Sequence, residues 1–259
     1  MLGLFDSGLG GLTVVRRVRE LLPRHDLLFF ADQAHVPYGD RTAHELRRLL
    51  VRNLAYLDSA GADAIVMACN TTCAAADEAG WPSTHAMVVD LIDSAAMAIE
   101  LSGFRKIGVI ATAFTAQSGA YGRKIRQRVP GARVTEIAAP ALVPLVEAGA
   151  AGSARAAAAV AAVCSALPAD VEAVVLACTH FPFLDEHFAV KLGSQISRID
   201  PALIQAARTA QLASDRGYTP GEGLTRYVTN GNLDAFRAHV LANTSDASRS
   251  IEALSPVAL

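Results

Sequence analysis

The sequence predicts an α/β fold in which two similar halves each carry a mostly parallel sheet. The main observation is a stretch that occurs twice, as Asp-Ala-Ile-Val-Met-Ala-Cys-Asn-Thr at 63–71 and Glu-Ala-Val-Val-Leu-Ala-Cys-Thr-His at 172–180. Short apolar runs without alternation are typical of strands buried on both faces of a parallel sheet. The spacing is a second observation, since the strand pattern at residue 2 returns at residue 107 and the cysteine at 69 returns at 178.

In the first half, strands and helices alternate along the chain. Strands are predicted at 2–5, 27–31, the first cysteine stretch and 86–89. Helices are predicted from the glycine-rich turn at 6–11 to Pro23, from the capping box of Thr42 and Glu45 to Gly61, and after Thr71. The alternation favours a parallel sheet with right-handed crossovers.

The second half repeats this layout. Strands are predicted at 106–111, 132–137, the second cysteine stretch and 196–199, and helices at 117–128, 153–167 and 201–213. A last strand near 226–231 is expected to return to the first sheet, and 245–259 is expected to form a tail with little pattern. We therefore predict a discontinuous domain of 1–94 plus 209–259 and a second domain of 95–208.

Composition excludes several classes of protein. The chain of 259 residues is 52% hydrophobic and 19% charged, with a formal net charge of −2, so it is globular and offers no electrostatic case for a nucleic-acid or membrane partner. The N-terminus lacks the basic region of a signal peptide, and the four cysteines are too few for a disulfide scaffold. A reduced, cytoplasmic protein is expected, in which Cys73 and Cys164 fill the core.

Cys69 and Cys178 are the main candidates for chemistry. Each follows a buried strand, and ligands bind at the carboxyl ends of parallel strands. Each also precedes a predicted helix start, where free N–H groups favour a thiolate. A free cysteine often only fills space. Two matched thiols, however, suit a proton that is moved from one face of a carbon atom to the other.

Other polar residues at strand ends complete the candidate site. Asp6 is a helix cap or a group that holds a base, His180 is an acid–base candidate, and Glu147 is a possible partner for an ammonium group. Neutral donors that suit the carboxylates of an amino acid are Ser7, Asn70, Thr71, Thr112 and Thr179. The glycine-rich turn resembles a dinucleotide fingerprint, but Thr13 replaces its last glycine, so a turn that offers N–H groups to an anion is favoured. No motif for a metal, a nucleotide or a Schiff base is evident.

Five blocks of the sequence resemble the signatures of the glutamate racemases, in the aspartate/glutamate racemase family. They are Phe-Asp-Ser-Gly-Leu-Gly-Gly-Leu-Thr-Val at 5–14, Val-Pro-Tyr-Gly at 36–39, Ala-Cys-Asn-Thr at 68–71, Val-Pro-Leu-Val-Glu at 143–147 and Cys-Thr-His-Phe-Pro at 178–182. The resemblance implies two pseudo-symmetric three-layer α/β domains with the active site between them, usually in dimers. It also implies a cofactor-independent enzyme that supplies D-glutamate for peptidoglycan.

The resemblance also implies roles for individual residues. Cys69 would take the α-proton from D-glutamate with help from Asp6, and Cys178 would take it from L-glutamate with help from His180, with Glu147 nearby. The substrate pocket would be lined by Ser7, Pro37, Tyr38, Gly39, Asn70, Thr71, Thr112, Thr115 and Thr179.

The chain departs from the family pattern at Thr72-Cys73 and in the run at 89–93, which contains Asp90 and Asp93. Both carboxylates are expected to cap or support a helix; a position that faces the pocket would instead repel a long acidic substrate. A racemase for another acidic amino acid such as aspartate, or a ligand-binding relative without turnover, therefore stays open as an alternative.

Overall fold

The computed structural model describes residues 1–246 and 248–254 of the chain. Two separate sheets form the centre of the molecule, and they confirm the predicted α/β class. The strands in chain order are β1 Leu2–Asp6, β2 Leu27–Ala31, β3 Ala64–Met67, β4 Met87–Asp90, β5 Lys106–Ala111, β6 Arg133–Ala138, β7 Ala173–Ala177, β8 Ser197–Ile199, β9 Thr225–Thr229 and β10 Arg249–Ala253.

The two sheets repeat one strand order. The first runs β10-β9-β2-β1-β3-β4 and the second runs β6-β5-β7-β8, with every described pair parallel. The segment β2-β1-β3-β4 corresponds to β6-β5-β7-β8. Strands β3 and β7, which precede the two cysteines, therefore occupy the same place in the two sheets.

The helices cover both sheets and alternate with the strands. In chain order they are α1 Leu12–Leu21, α2 Ala43–Ser59, α3 Asn70–Ala79, α4 Leu91–Ser102, α5 Ala113–Ser118, α6 Ala120–Arg128, α7 Leu142–Glu147, α8 Ala154–Cys164, α9 Asp185–Leu192, α10 Pro201–Asp215 and α11 Leu233–Asn243. None of the helices within the described residues combines the length and the apolar character that a membrane span needs.

Apolar strands and helix stripes form the core, as the periodicity predicts. Strands β1, β2, β3 and β7 are buried at every position. The α2 stripe packs against the first sheet, and the predicted capping box is present, since Thr42 Oγ1 accepts from the Glu45 amide at 3.3 Å and Glu45 Oε2 accepts from the Thr42 amide at 2.9 Å. Because the strands of each sheet run parallel, their carboxyl ends lie at one edge of that sheet.

Two local predictions were wrong or incomplete, and one helix lies where none was predicted. The helix predicted at 117–128 begins earlier and is divided by Gly119, whose φ of +67° ends α5 before α6 begins. The short helix α7 at Leu142–Glu147 lies where no element was predicted. Part of the predicted tail forms β10, which pairs with β9 at the sheet edge; residues 247 and 255–259 of that tail lie outside the described residues.

Helices α4 and α10 connect the two sheets and pack against each other. Arg208 on α10 bonds Asp93 at 2.8 Å and Ser94 at 2.9 Å on α4. Gln205 of α10 donates to the carbonyls of Met67 at 3.0 Å and Val89 at 2.8 Å, so it holds the ends of β3 and β4. The domain boundaries predicted at 94 and 208 fall inside these two helices and stay a prediction.

Candidate active site

A cleft lies where β1, β3, β5 and β7 end. Every predicted site residue lies on its surface except Glu147 and Thr115, which lie behind its wall. The lining residues are Asp6, Ser7, Val36, Pro37, Tyr38, Gly39, Asp40, Cys69, Asn70, Thr71, Thr112, Ala113, Pro140, Val143, Pro144, Cys178, Thr179 and His180. Both sheets contribute to this surface, so the two cysteines face one space.

Cys69 follows β3 and caps the start of α3. It is buried, and its Sγ contacts Ser7 Oγ at 3.6 Å. Burial and the negative charge of Asp6 raise the pKa of Cys69 to about 12, although the amide and hydroxyl of Thr72 oppose this rise. In this state of the cleft, Cys69 is a neutral thiol that can give a proton.

Cys178 is the first member of a chain of three polar groups. Its Sγ lies 3.7 Å from Nδ1 of His180, and Nε2 of His180 lies 2.5 Å from Oε1 of Glu147. Burial alone would lower the pKa of His180, but its hydrogen bonds to Cys178 and Glu147 raise it to about 10. The same contact holds the pKa of Glu147 below its usual value against the effect of burial. His180 is therefore an imidazolium at neutral pH, and it is placed to stabilise negative charge on the Cys178 sulfur.

The glycine-rich turn wraps around the carboxylate of Asp6. The amides of Gly11 and Gly8 donate to Oδ2 at 2.8 and 3.2 Å, and Thr179 Oγ1 donates from the second half at 3.3 Å. The anion that the turn binds is thus the side chain of Asp6 itself. Burial raises the pKa of Asp6, while the charge of His180 and the two amides oppose that rise. Asp6 acts on Cys69 through its charge, and Ser7 is the side chain that contacts the sulfur.

Gly10 gives a first testable prediction, because a Cβ atom there would lie 2.3 Å from Thr179 Oγ1 and 2.6 Å from His180 Nδ1. We expect Gly10→Ala to displace His180 from Cys178 and to lower kcat/KM about 100-fold, since a shift of about 1 Å has that effect in a preorganised site. The overpacking should cost only about 1–3 kcal/mol of stability. Gly152→Ala is the matched control, because its Cβ would meet nothing within 4 Å. The melting temperature of each variant is measured together with kcat/KM. If Gly10→Ala kept the kcat/KM of the wild type, the close packing of Gly10 against His180 would not matter for activity, which would contradict this prediction.

The loop at 33–40 forms the opposite wall of the cleft. The Tyr38 hydroxyl donates to the buried carboxylate of Asp32 and accepts from Asn53 Nδ2 at 3.0 Å. Both of these partners lie outside the cleft, so the hydroxyl is directed away from it. Burial and Asp32 raise the pKa of Tyr38 far above its ordinary value. Gly39 packs so closely on Thr112 that a Cβ would lie 2.8 Å from the threonine Cβ. The wall therefore presents the ring of Tyr38 and the backbone of Gly39.

Three threonine hydroxyls join the halves across the cleft floor. Thr112 Oγ1 lies 3.0 Å from both Thr71 Oγ1 and Thr115 Oγ1, and the last two are 3.4 Å apart. Thr115 is fully buried and supports the two threonines on the surface. The structure therefore does not place Thr115 on the pocket surface. Its hydroxyl contacts Thr71 and Thr112, which do line the pocket.

Of the residues that depart from the family pattern, Thr72 lies beside Cys69, whereas Cys73, Asp90 and Asp93 do not line the cleft. Asp90 caps α4 by accepting from the amides of Ile92 and Asp93, as expected. Asp93 forms no cap; it binds Arg128 at 3.0 Å and Arg208 at 2.8 Å. Cys73 is fully buried, and its Sγ lies 3.4 Å from the carbonyl of Met67. The pocket surface therefore carries neither of the two carboxylates.

Several lining residues were missed by sequence reasoning. The cleft is also lined by Val36, Asp40, Ala113, Pro140, Val143 and Pro144, and all but Asp40 are apolar. The sequence carries no chemical signal for them, although Val36, Val143 and Pro144 lie inside the resembling blocks. Asp32, which accepts the hydrogen bond of the Tyr38 hydroxyl, directly follows the buried strand β2, and that position is the signal that could have found it.

Comparison with known proteins places this architecture in a family. The sequence profile of the family described as Asp/Glu/Hydantoin racemase matches residues 12–209. The glutamate racemase of Desulforudis audaxviator is 40% identical over 247 residues, which cover 91% of this chain and 90% of that protein.

Solved structures of relatives agree with this match. A crystal structure of glutamate racemase from Thermus thermophilus in complex with beta-chloro-D-alanine is 34% identical, with a TM-score of 0.86 over 100% of this chain and 98% of that one. A glutamate racemase from Francisella tularensis in complex with D-glutamate is 26% identical, with a TM-score of 0.86 over 98% and 97% of the two chains. The chain belongs to the isomerases of the Asp/Glu/Hydantoin racemase family.

Proposed function

We propose that this enzyme interconverts L-glutamate and D-glutamate by moving the α-proton between Cys69 and Cys178. One observation carries the proposal: the two thiols follow equivalent strands, β3 and β7, and line the same cleft from opposite halves. A substrate between them would present one face of its Cα atom to each sulfur. The relatives named glutamate racemase support the choice of reaction and of substrate.

The two thiols have different surroundings, which suits one direction of transfer at a time. Cys178 lies beside an imidazolium and is the base for L-glutamate, whereas Cys69 is a neutral thiol that gives its proton to the opposite face. In the reverse direction the two roles are exchanged, and Cys69 is the base for D-glutamate. Asp6 would assist Cys69 and His180 would assist Cys178, with Glu147 holding the imidazole.

Most of the reduction in the activation free energy of proton removal would come from positioning and from neutral hydrogen-bond donors. An α-proton is weakly acidic, so negative charge must be stabilised as the C–H bond breaks. Ser7, Asn70, Thr71 and Thr179 offer N–H and O–H donors on the cleft surface. Preorganised donors in a dry site contribute roughly 2.7–4 kcal/mol each, and near-attack positioning contributes ~7–11 kcal/mol. We propose that no cofactor is needed, because the residues themselves provide the base, the acid and the donors.

Glutamate is proposed over aspartate, and this gives a second prediction. The residues at 178–180 and 36–39 match the glutamate-type blocks, and neither Asp90 nor Asp93 is among the cleft-lining residues. One methylene is worth only about 1–3 kcal/mol, so we expect kcat/KM for L-glutamate to exceed that for L-aspartate about 10- to 200-fold. Circular dichroism of each amino acid during turnover, with enzyme dialysed against a chelator, measures both values. An aspartate value equal to or above the glutamate value would contradict the substrate assignment and leave the two-thiol mechanism standing.

We further propose the cellular and dynamic setting that the family resemblance implies. The enzyme would act in the cytoplasm as a homodimer and would supply D-glutamate for peptidoglycan synthesis. The halves at 1–94 plus 209–259 and at 95–208 would close on the substrate, with α4 and α10 at the crossings as hinges. A deletion strain that grows only when D-glutamate is supplied, and that recovers with this gene, would support the cellular role.

A further inference from the structure

A buried hydrogen bond joins the two halves of the molecule behind the cleft. Tyr121 on α6 donates its phenolic hydrogen to Oδ1 of Asn70, the first residue of α3. Tyr121 is fully buried, whereas Asn70 reaches the cleft surface. The roles assigned above to the thiols and their partners make no use of Tyr121.

This hydrogen bond decides which end of the Asn70 amide faces the cleft. A carboxamide has one acceptor oxygen and one NH₂ group with two donors. Because Tyr121 holds the oxygen, the NH₂ group occupies the other branch of the amide plane, away from the phenol. The reverse orientation would place an acceptor oxygen against a substrate carboxylate, which is itself only an acceptor.

The environment of Tyr121 keeps the phenol a donor and keeps its ring in place. Burial raises the pKa of Tyr121 well above its ordinary value, and nearby Cys73 and Asp90 raise it further. The break at Gly119 sets the start of α6, and Glu136 Oε1 accepts from the Gly122 amide at 2.9 Å directly after Tyr121. These contacts hold the first turn of α6 in place, and with it the position of the Tyr121 phenol beside Asn70.

We infer that Tyr121 is a positioning residue whose hydroxyl orients the Asn70 carboxamide so that its N–H group donates to a carboxylate of the substrate. This inference rests on the proposed function, because it needs an amino acid in the cleft. Asn70 belongs to the first half of the chain and Tyr121 to the second. A substrate-binding donor of one half is thus oriented by a side chain of the other.

A double-mutant cycle tests this inference. Tyr121→Phe removes only the hydroxyl, and we expect it to lower kcat/KM about 10- to 100-fold, mainly through a higher KM for both enantiomers, since a hydrogen bond to a charged group is lost or misdirected. In the Asn70→Ala background, the same substitution should change kcat/KM less than about twofold. Tyr218→Phe is the control, because its hydroxyl contacts the Asp63 carbonyl far from the cleft.

The outcomes separate the possible failures. Equal losses from Tyr121→Phe in both backgrounds would mean that Tyr121 only stabilises the fold, and would overturn the inference. If Tyr121→Phe does not fold, Asn70→Asp keeps the acceptor for Tyr121 but removes the N–H donor; an unchanged KM in that variant would overturn the inference equally. Wild-type enzyme that leaves the α-proton of glutamate unexchanged would instead overturn the proposed function.

Discussion

Cys69→Ala should abolish exchange of the α-proton of D-glutamate with deuterated solvent while exchange of L-glutamate continues, and Cys178→Ala should show the opposite pattern. Each variant should lose racemisation by roughly 10²–10⁴-fold or more, the usual loss when a positioned base is removed. The remaining thiol can still remove a proton from its own face and return a deuteron to it. Proton NMR of the α-position, followed beside circular dichroism, measures exchange and inversion separately.

Two other cysteines provide the controls for this experiment. Cys164 is buried on α8 and Cys73 is buried on α3, and neither lines the cleft, so Cys164→Ala and Cys73→Ala remove a thiol without changing the cleft surface. Both should keep exchange on both faces. Racemisation close to the wild-type rate in the Cys69→Ala, Cys178→Ala double variant would show that the two-thiol mechanism is wrong.

His180→Gln should lower kcat/KM roughly 100-fold or more, because Cys178 loses the imidazolium that stabilises its charge. L- and D-glutamate have equal free energies, so kcat/KM must fall by the same factor in both directions. The affected step is instead identified by isotope effects. With deuterium at Cα, the primary isotope effect should grow for L-glutamate and shrink for D-glutamate, because proton transfer at Cys178 limits both directions.

The pH dependence supplies an independent check on the same group. His180 has a pKa of about 10, and Glu147 is one cause of this rise. The imidazolium is lost as pH rises through this value, so kcat/KM should fall on the alkaline side, and Glu147→Gln should move that fall to lower pH. The raised pKa also stabilises the fold fully below the ordinary value of 6.5, and this stability is lost as pH rises toward 10. If kcat/KM fell over the same alkaline pH range in the wild type and in Glu147→Gln, the proposed effect of Glu147 on the pKa of His180 would be contradicted.

Local sequence pattern was sufficient for strands β1 to β9, for most helices and for the two thiols. The cysteine stretches are continuous apolar runs that end in polar residues, and burial of parallel strands leaves such a pattern in the sequence itself. The errors arose where one residue or a distant strand decides the structure. Gly119 divides a helix through a positive φ, and β10 becomes a strand because β9 offers it an open edge.

The partners of the thiols were decided by the path of the chain. Glu147 is separated from His180 by 33 positions and reaches it only because α7 follows β6 at the same end of the sheet as β7. Tyr121 reaches Asn70 from the other half in the same way. The sequence by itself determined which residues stand at the ends of buried strands, since that follows from apolar runs a few residues long. Only the tertiary structure decided which of those ends share a cleft and which groups set their protonation, because hydrogen bonds and desolvation act over distances in space that bear no relation to distance along the chain.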